Sequence, residues 1–318
     1  MRKGNMAFTG IPTFGRAPLA TPEADWCADV AVLGVPFDEG TGFRPGARFG
    51  PRSIREMSMR FPLFDPESGN QGYFDPDLGR RFLEGVTAVD CGDADVIYLD
   101  VTRNHTLMEE AVRKIREHHA LPVILGGDHS ITYPAVKAFD DVDGLTILHF
   151  DAHLDYRDSF LGVTLAHGSP MRRCAELSFV SRIISIGMRG LRMVESDLKA
   201  ALSYKSCVIT YRDFRSRGPR ALAECLPESP GPTYITLDID SVDPSACPGT
   251  GTPEADGFRV GELVDLLRLA ARRTSVVGID LVEVNPGLDP SGLTSLAAAQ
   301  IIMELLGEVF AKEVVGGH

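Results

Sequence analysis

Short apolar runs recur along the chain, and most of them end in polar or glycine-rich turns. Residues 30–33, 86–89, 121–125, 145–150, 183–186, 207–209, 233–237 and 276–279 are too short for helices and mostly β-branched or apolar, which predicts strands. Between them lie stripes at helical spacing. These are Ile54 with Met57; Leu107, Met108, Ala111, Val112 and Ile115; residues 171–177; and Leu191, Val194, Leu198 and Leu202. Residues 221–226, then Val260, Leu263, Leu266, Leu267 and Ala270, and finally a long run over 294–310 complete the series. Buried strands alternating with helices predict a single three-layer α/β/α domain over residues 1–318, on a mainly parallel sheet of about eight strands. Residues 1–25 are Pro/Gly/Thr-rich and predict an irregular arm, on the surface or on a neighbouring subunit. Residues 60–82 show no periodicity, which predicts a long functional or inter-subunit loop.

Three of the strand runs share a grammar. The run 145–150 leads into Asp151-Ala152-His153-Leu154-Asp155, and 121–125 into Gly126-Gly127-Asp128-His129-Ser130. The run 233–237 leads into Asp238-Ile239-Asp240-Ser241-Val242-Asp243-Pro244. Residues two apart in an extended chain point the same way, so Asp151, His153 and Asp155 could share one side if the backbone stays extended past the strand. Polar and charged groups gathered at the end of an apolar strand are costly unless neutralised, and a metal ion does this. One such motif reads equally well as a polar turn with two solvated aspartates; three in one chain favour a metal site. Ligands of such sheets bind beyond the carboxyl ends of the strands, where all three clusters fall.

His129, Asp151, His153, Asp155, Asp238 and Asp240 offer two imidazoles and four carboxylates. That is more than one ion takes with an open position, but it serves two if two carboxylates bridge, and four carboxylates balance two divalent cations. Oxygen-rich ligation without thiolate suits two Mn²⁺, with Ni²⁺, Co²⁺, Fe²⁺ and Zn²⁺ open. Two ions about 3.5–4 Å apart lower the pKa of a shared water and provide hydroxide at neutral pH. A calcineurin-type phosphoesterase would need Gly-Asn-His and Gly-Asp-x-x-Asp, and neither occurs.

Composition narrows the partner. The formal net charge of -12 argues against nucleic acid and anionic membranes and suits a small cationic substrate. The cysteines at 27, 91, 174, 207, 225 and 247 show no Cys-x-x-Cys pair or disulfide-like spacing, which predicts mostly buried free thiols and a reducing cytoplasm. No secretion signal or membrane-spanning run is evident.

The three motifs, in their order and spacing, resemble the signature motifs of the ureohydrolases, the arginase and agmatinase family. The likeness extends from Gly34-Val35-Pro36 to Asp280-Leu281-Val282-Glu283-Val284-Asn285-Pro286. In that last segment and in residues 42–52 it is similar to the agmatinase branch. The resemblance implies one ion on His129, Asp151, Asp155 and Asp238, a second on Asp151, His153, Asp238 and Asp240, and Asp243 touching a ligand rather than an ion. It implies that Glu283 pairs with the substrate guanidinium and that His167, in Ala166-His167-Gly168-Ser169-Pro170, protonates the leaving amine. Taken alone, Glu283 reads as a solvated loop carboxylate or as a bidentate partner for a planar cation; His167 alone reads as a surface histidine. His149 is expected to be a satisfied core or supporting histidine, and His105, His118, His119 and His318 solvated. Relatives are commonly homohexamers or trimers, so a homo-oligomer is expected.

Departures from the family concern the tail of the substrate. Leu154 replaces a common Thr or Ser, and Tyr156-Arg157-Asp158 is unlike arginase's amino-acid-binding loop. An inward Arg157 would favour a carboxylate tail, whereas an Arg157–Asp158 pair would leave the field of an acidic protein to favour an amine. The resemblance of that Arg-Asp pair to one in a branch of agmatinases makes agmatine, cleaved to putrescine and urea, the expected substrate. Guanidinobutyrate, guanidinopropionate and guanidine are the alternatives within the chemistry, and a catalytically silent structural paralogue is the alternative outside it.

Overall fold

The computed structural model describes residues 6–204 and 206–311, so His318 and residues 1–5 of the expected arm lie outside the described residues. Its frame is an eight-stranded sheet in the order β4-β1-β5-β10-β9-β6-β7-β8, parallel at every pairing. The strands are β1 (Val30–Gly34), β4 (Ala88–Asp93), β5 (Leu121–Leu125), β6 (Leu145–Phe150), β7 (Val180–Met188), β8 (Cys207–Thr210), β9 (Pro232–Asp238) and β10 (Ser275–Val282). The helices are α1 (Gly50–Ser58), α2 (Val101–Glu117), α3 (Thr132–Lys137), α4 (Pro170–Ala175), α5 (Glu195–Ser203), α6 (Tyr211–Arg217), α7 (Arg220–Ala223), α8 (Val260–Arg273) and α9 (Leu293–Val309).

Alternation along each strand divides the core in two. Val30 and Val32 of β1 face Ile54 of α1, Leu266 of α8 and Ile302 of α9, whereas Ala31 and Leu33 face Met108 of α2 and Val136 of α3. Leu148 and Phe150 of β6 join the first core, and Leu145 and Ile147 the second. Helices therefore cover both faces, the arrangement that continuous apolar strands demand. No helix among the described residues is long and apolar enough to cross a membrane.

Register explains why the site sits where it does. Leu125 pairs with Leu281, Leu281 with Leu237, and Leu237 with Phe150, so the four central strands end at one level. The residues that follow each of these, in segments distant in sequence, emerge side by side at the carboxyl edge.

Several local expectations change. The 86–89 strand shifts to Ala88–Asp93, because Arg55 of α1 accepts the charge that enters the sheet: its Nε and Nη2 lie 2.9 and 3.0 Å from the Asp90 carboxylate and its Nη1 2.6 Å from Asp93. The 60–82 loop contains an antiparallel pair, β2 (Tyr73–Asp75) with β3 (Arg80–Phe82). The arm does not merely lie on the surface: Phe14 is fully buried, and its N–H donates to Asp90 at 2.8 Å. Leu191, fully exposed, and Val194 both stand outside α5, so the stripe expected there is reduced to Leu198 and Leu202. Cys207 and Cys225 are disulfide-bonded, contrary to the free thiols expected, because the α6–α7 turn returns the chain over 18 residues to the edge strand β8. Cys27, Cys91, Cys174 and Cys247 are free. His105 is buried rather than solvated, and His118 stacks on Trp26 with centroids 3.9 Å apart.

Candidate metal centre

Beyond β5 the chain runs through Gly127, where a Cβ would collide with the Phe37 carbonyl, and turns at Asp128 into a short 3-10 segment, His129–Ile131. Asp128 accepts the Ser130 N–H at 2.9 Å and the Gly40 N–H at 2.7 Å, so it shapes the turn rather than offering itself to an ion. The turn aims His129 inward. Its Nδ1 lies 3.0 Å from Asp151 Oδ2, 3.1 Å from Asp155 Oδ2 and 3.3 Å from Asp238 Oδ2. Its Nε2 lies 3.0 Å from Thr236 Oγ1, one residue pair earlier on β9.

A second focus lies alongside. His153 Nδ1 is 3.0 Å from Asp240 Oδ2 and 3.5 Å from Asp151 Oδ1. Asp151 thus turns one oxygen to each histidine. The structure brings all six expected ligands together, in two groups that share this carboxylate. The extended backbone imagined for Asp151-Ala152-His153-Leu154-Asp155 is not how they converge. The chain bends at Ala152 and His153, and Asp155 adopts φ 51°, a left-handed conformation uncommon outside glycine. His153 therefore faces Asp240 while Asp155 faces His129.

The donor set fits a pair of metal ions. His129 Nδ1 and Asp240 Oδ2 are buried without a hydrogen bond, an arrangement that is expensive unless a cation completes it. His149 also falls within ligand distance of one group. Its two nitrogens are already engaged, Nε2 with Asp151 Oδ2 at 2.8 Å and Nδ1 with Ser185 Oγ at 3.0 Å, so it supports Asp151 instead. The electrostatics agree with such crowding. Burial and the charges of Asp240 and Asp151 hold the Asp238 carboxyl well above its usual range. Burial opposes ionisation of Asp151 too, but His129, His149 and His153 outweigh it and hold that carboxyl well below.

Glu283 follows β10 in a left-handed conformation, φ 65°, and is 1 % exposed. Non-glycine residues held there are costly and cluster at functional sites. Its Oε1 accepts the His129 N–H at 3.0 Å and lies 3.1 Å from His167 Nδ1, while its Oε2 is buried with no partner. On the other side of the His167 ring, Nε2 accepts the Gly42 N–H at 3.0 Å. Burial pulls the imidazole down, but Glu283 outweighs it and pushes the His167 pKa up to about 9. The Gly42 amide opposes that rise, because it needs the Nε2 lone pair.

A cavity of about 270 Å³ opens from these groups to solvent, lined by His153, Asp155, His167 and Asp238 within and by Arg157, Arg192 and Asp197 towards the mouth. Arg157 does not pair with Asp158. Its Nε is 3.9 Å from Asp197, whereas Asp158 binds Arg173 at 2.5 Å. The Asp243 carboxylate, expected to touch one of the six, accepts the Ser245 N–H at 2.8 Å. Sequence reasoning missed Thr236, Ser185, Arg189 and Glu254. Thr236 had a signal, lying two residues before Asp238 on the same strand face; the other three sit on segments whose proximity only folding creates.

The comparisons with known proteins agree with this geometry. The arginase family model matches residues 28–307. The human protein named guanidino acid hydrolase, mitochondrial, is 37% identical over 304 residues, covering 93% of this chain and 82% of that protein. The chicken protein named agmatinase, mitochondrial, is 34% identical over 302 residues, covering 93% and 85%. Among solved structures, the proclavaminate amidino hydrolase from Streptomyces clavuligerus superposes with a TM-score of 0.85 at 32% identity, covering 96% of this chain and 98% of that one. With a two-centre cluster of histidines and aspartates at the carboxyl edge of an eight-stranded parallel sheet, and a family match over most of its length, the chain belongs to the arginase, or ureohydrolase, family.

Proposed function

We propose that this ureohydrolase releases urea from a guanidino compound with a carboxylate tail, of the guanidinobutyrate or guanidinopropionate class. The observation that carries the tail assignment is Arg157, which lines the cavity, is separated from Asp158 by the latter's ion pair with Arg173, and meets Asp197 only at the long distance of 3.9 Å. The expectation of agmatine rested on the agmatinase-like segments 42–52 and 280–286 and, for the tail, on an Arg157–Asp158 pair; that pair does not form. Arg192 adds a second cation to the same rim, against one carboxylate, Asp197.

Six side chains would hold the metals: His129, Asp151, Asp155 and Asp238 one ion, and Asp151, His153, Asp238 and Asp240 the other. Mn²⁺ is our assignment, from the oxygen-rich donors. When bound, such a pair supplies a hydroxide nucleophile at neutral pH and positive charge for the transition state. The chain's own groups do the rest. Glu283, with Oε2 unpartnered, would take guanidinium N–H groups and orient the planar carbon towards the cluster. His167 would pass a proton to the departing amine, so that water and guanidinium yield urea and an ammonium.

Asp197 at the mouth supports a second reading, agmatine, whose distal ammonium it could receive. Urea release from 4-guanidinobutyrate, 3-guanidinopropionate, agmatine and arginine, with Mn²⁺ and Ni²⁺ compared, separates the two. The carboxylate reading expects higher kcat/KM for one of the guanidino acids; agmatine ahead of both would overturn it. Exposed apolar residues, Phe160 at the cavity together with Leu161 and Leu191, support the homo-oligomer expected for the chain, which a solution mass would test.

A further inference from the structure

His153 can serve an ion through Nδ1 only if its proton sits on Nε2 and finds an acceptor there. The two histidines of the cluster solve this differently. His129 turns its outer nitrogen to a hydroxyl, Thr236 Oγ1, at 3.0 Å. His153 turns its outer nitrogen to a carboxylate, Glu254 Oε1, at 3.4 Å, and that nitrogen is buried with no hydrogen bond in place.

Glu254 is held for this contact from several directions. A Cβ at Gly190 would sit on the Glu254 carboxylate, so the glycine, at φ 81°, leaves the space that the side chain occupies. Next to it, Arg189 spreads its guanidinium over carbonyls of both loops: Nη2 donates to Asp240 O at 2.6 Å and Glu254 O at 3.3 Å, Nη1 to Ser241 O at 3.3 Å, and Nε to Ala255 O at 3.2 Å. One side chain thus ties the segment carrying the ligand Asp240 to the segment carrying Glu254. The loop 244–257, although rich in proline and glycine, is fixed relative to the cluster.

We propose that Glu254 is a positioning residue: it accepts the Nε2 proton of His153, fixes the orientation of that ring, and sets the affinity of the ion that His153 holds, with little effect on the ion that His129 holds. This rests on the two-metal reading but not on the identity of the substrate. Loss of such an outer partner costs about 10–100-fold in metal affinity.

The test is competition between a chelator and the full-length protein for Mn²⁺, without substrate, on wild type, Glu254→Ala and Glu254→Gln. Wild type should bind two ions. Glu254→Ala should lose about tenfold to a hundredfold in affinity for one of them, and Glu254→Gln, which keeps an acceptor oxygen, should recover part of the loss. Thermal melting of the metal-free proteins should be alike, since the carboxylate acts on the ring rather than on the fold. Two ions bound by Glu254→Ala with wild-type affinity, or equal weakening of both, would overturn the proposal and leave the two-metal reading intact. Fewer than two ions on wild type would overturn both.

Discussion

His167 Nδ1 lies 3.1 Å from Glu283 Oε1, so the group expected to deliver a proton and the group expected to hold the substrate cation are joined by one hydrogen bond. The contact occupies only one oxygen of the carboxylate, and the other remains buried and unpartnered. A guanidinium arriving at Glu283 would compete with His167 for negative charge. Substrate binding and the protonation of His167 are thereby coupled through a single side chain.

That coupling can be measured in the metal-free protein. The imidazole of His167 should titrate well above the ordinary 6.5, near the value of about 9 to which Glu283 raises it against burial. Because the folded value is raised, the stability it contributes is fully present below pH 6.5 and is lost as pH rises through 9. Glu283→Gln should move the His167 resonance back towards 6.5 in an NMR titration. An unchanged titration would show that Glu283 is not the cause.

The role in turnover has a separate signature. His167→Ala should retain both metals and lose roughly 10²–10⁴ in rate, the usual range for general acid–base assistance. Metal content by elemental analysis, read beside urea release, distinguishes a proton carrier from a ligand. A metal-depleted variant would reassign the residue.

Asp151 faces both histidines of the cluster and also receives His149, so its charge serves both halves of the cluster at once. Asp151→Asn should nearly abolish turnover and lower metal content, with the far-UV spectrum preserved. Fully active wild-type protein carrying only one ion per chain would contradict the two-ion reading.

At the mouth, Arg157→Glu replaces a cation facing the cavity by an anion. If a carboxylate tail reaches it, kcat/KM for 4-guanidinobutyrate should fall about three- to tenfold, the effect of about 1 kcal/mol at a partly exposed charge, while agmatine loses nothing. Equal effects on both substrates would place Arg157 outside the tail's reach.

His105 allows a prediction independent of the centre. It is 7 % exposed, neither ring nitrogen has a hydrogen bond, and burial, with Lys137, lowers its pKa from 6.5 to about 4. A lowered histidine pKa means that the unfolded chain binds the proton first, so stability is full above pH 6.5 and falls as pH drops towards 4. Denaturant midpoints should show wild type losing about 2 kcal/mol more than His105→Leu between pH 7 and pH 5.

The one-dimensional pattern decided much of this molecule. Apolar runs 121–125, 145–150 and 233–237 had to be buried strands, and a strand that ends in aspartate and histidine must present them at its end. The six-donor set was legible for that reason, as were the flanking helices. What the pattern could not decide was proximity. The level pairing of Leu125, Leu281, Leu237 and Phe150 places Glu283 beside His129, 154 residues earlier in the chain. The bend at Asp155, the disulfide between Cys207 and Cys225, the burial of His105 and the partner of His153 likewise depend on contacts between distant segments. The same holds for Arg157 and Asp158, adjacent in sequence yet drawn apart by Asp197 and Arg173. Local periodicity specifies which face of an element is apolar; which charges meet across the fold is set by strand register and loop path, and those are properties of the assembled chain.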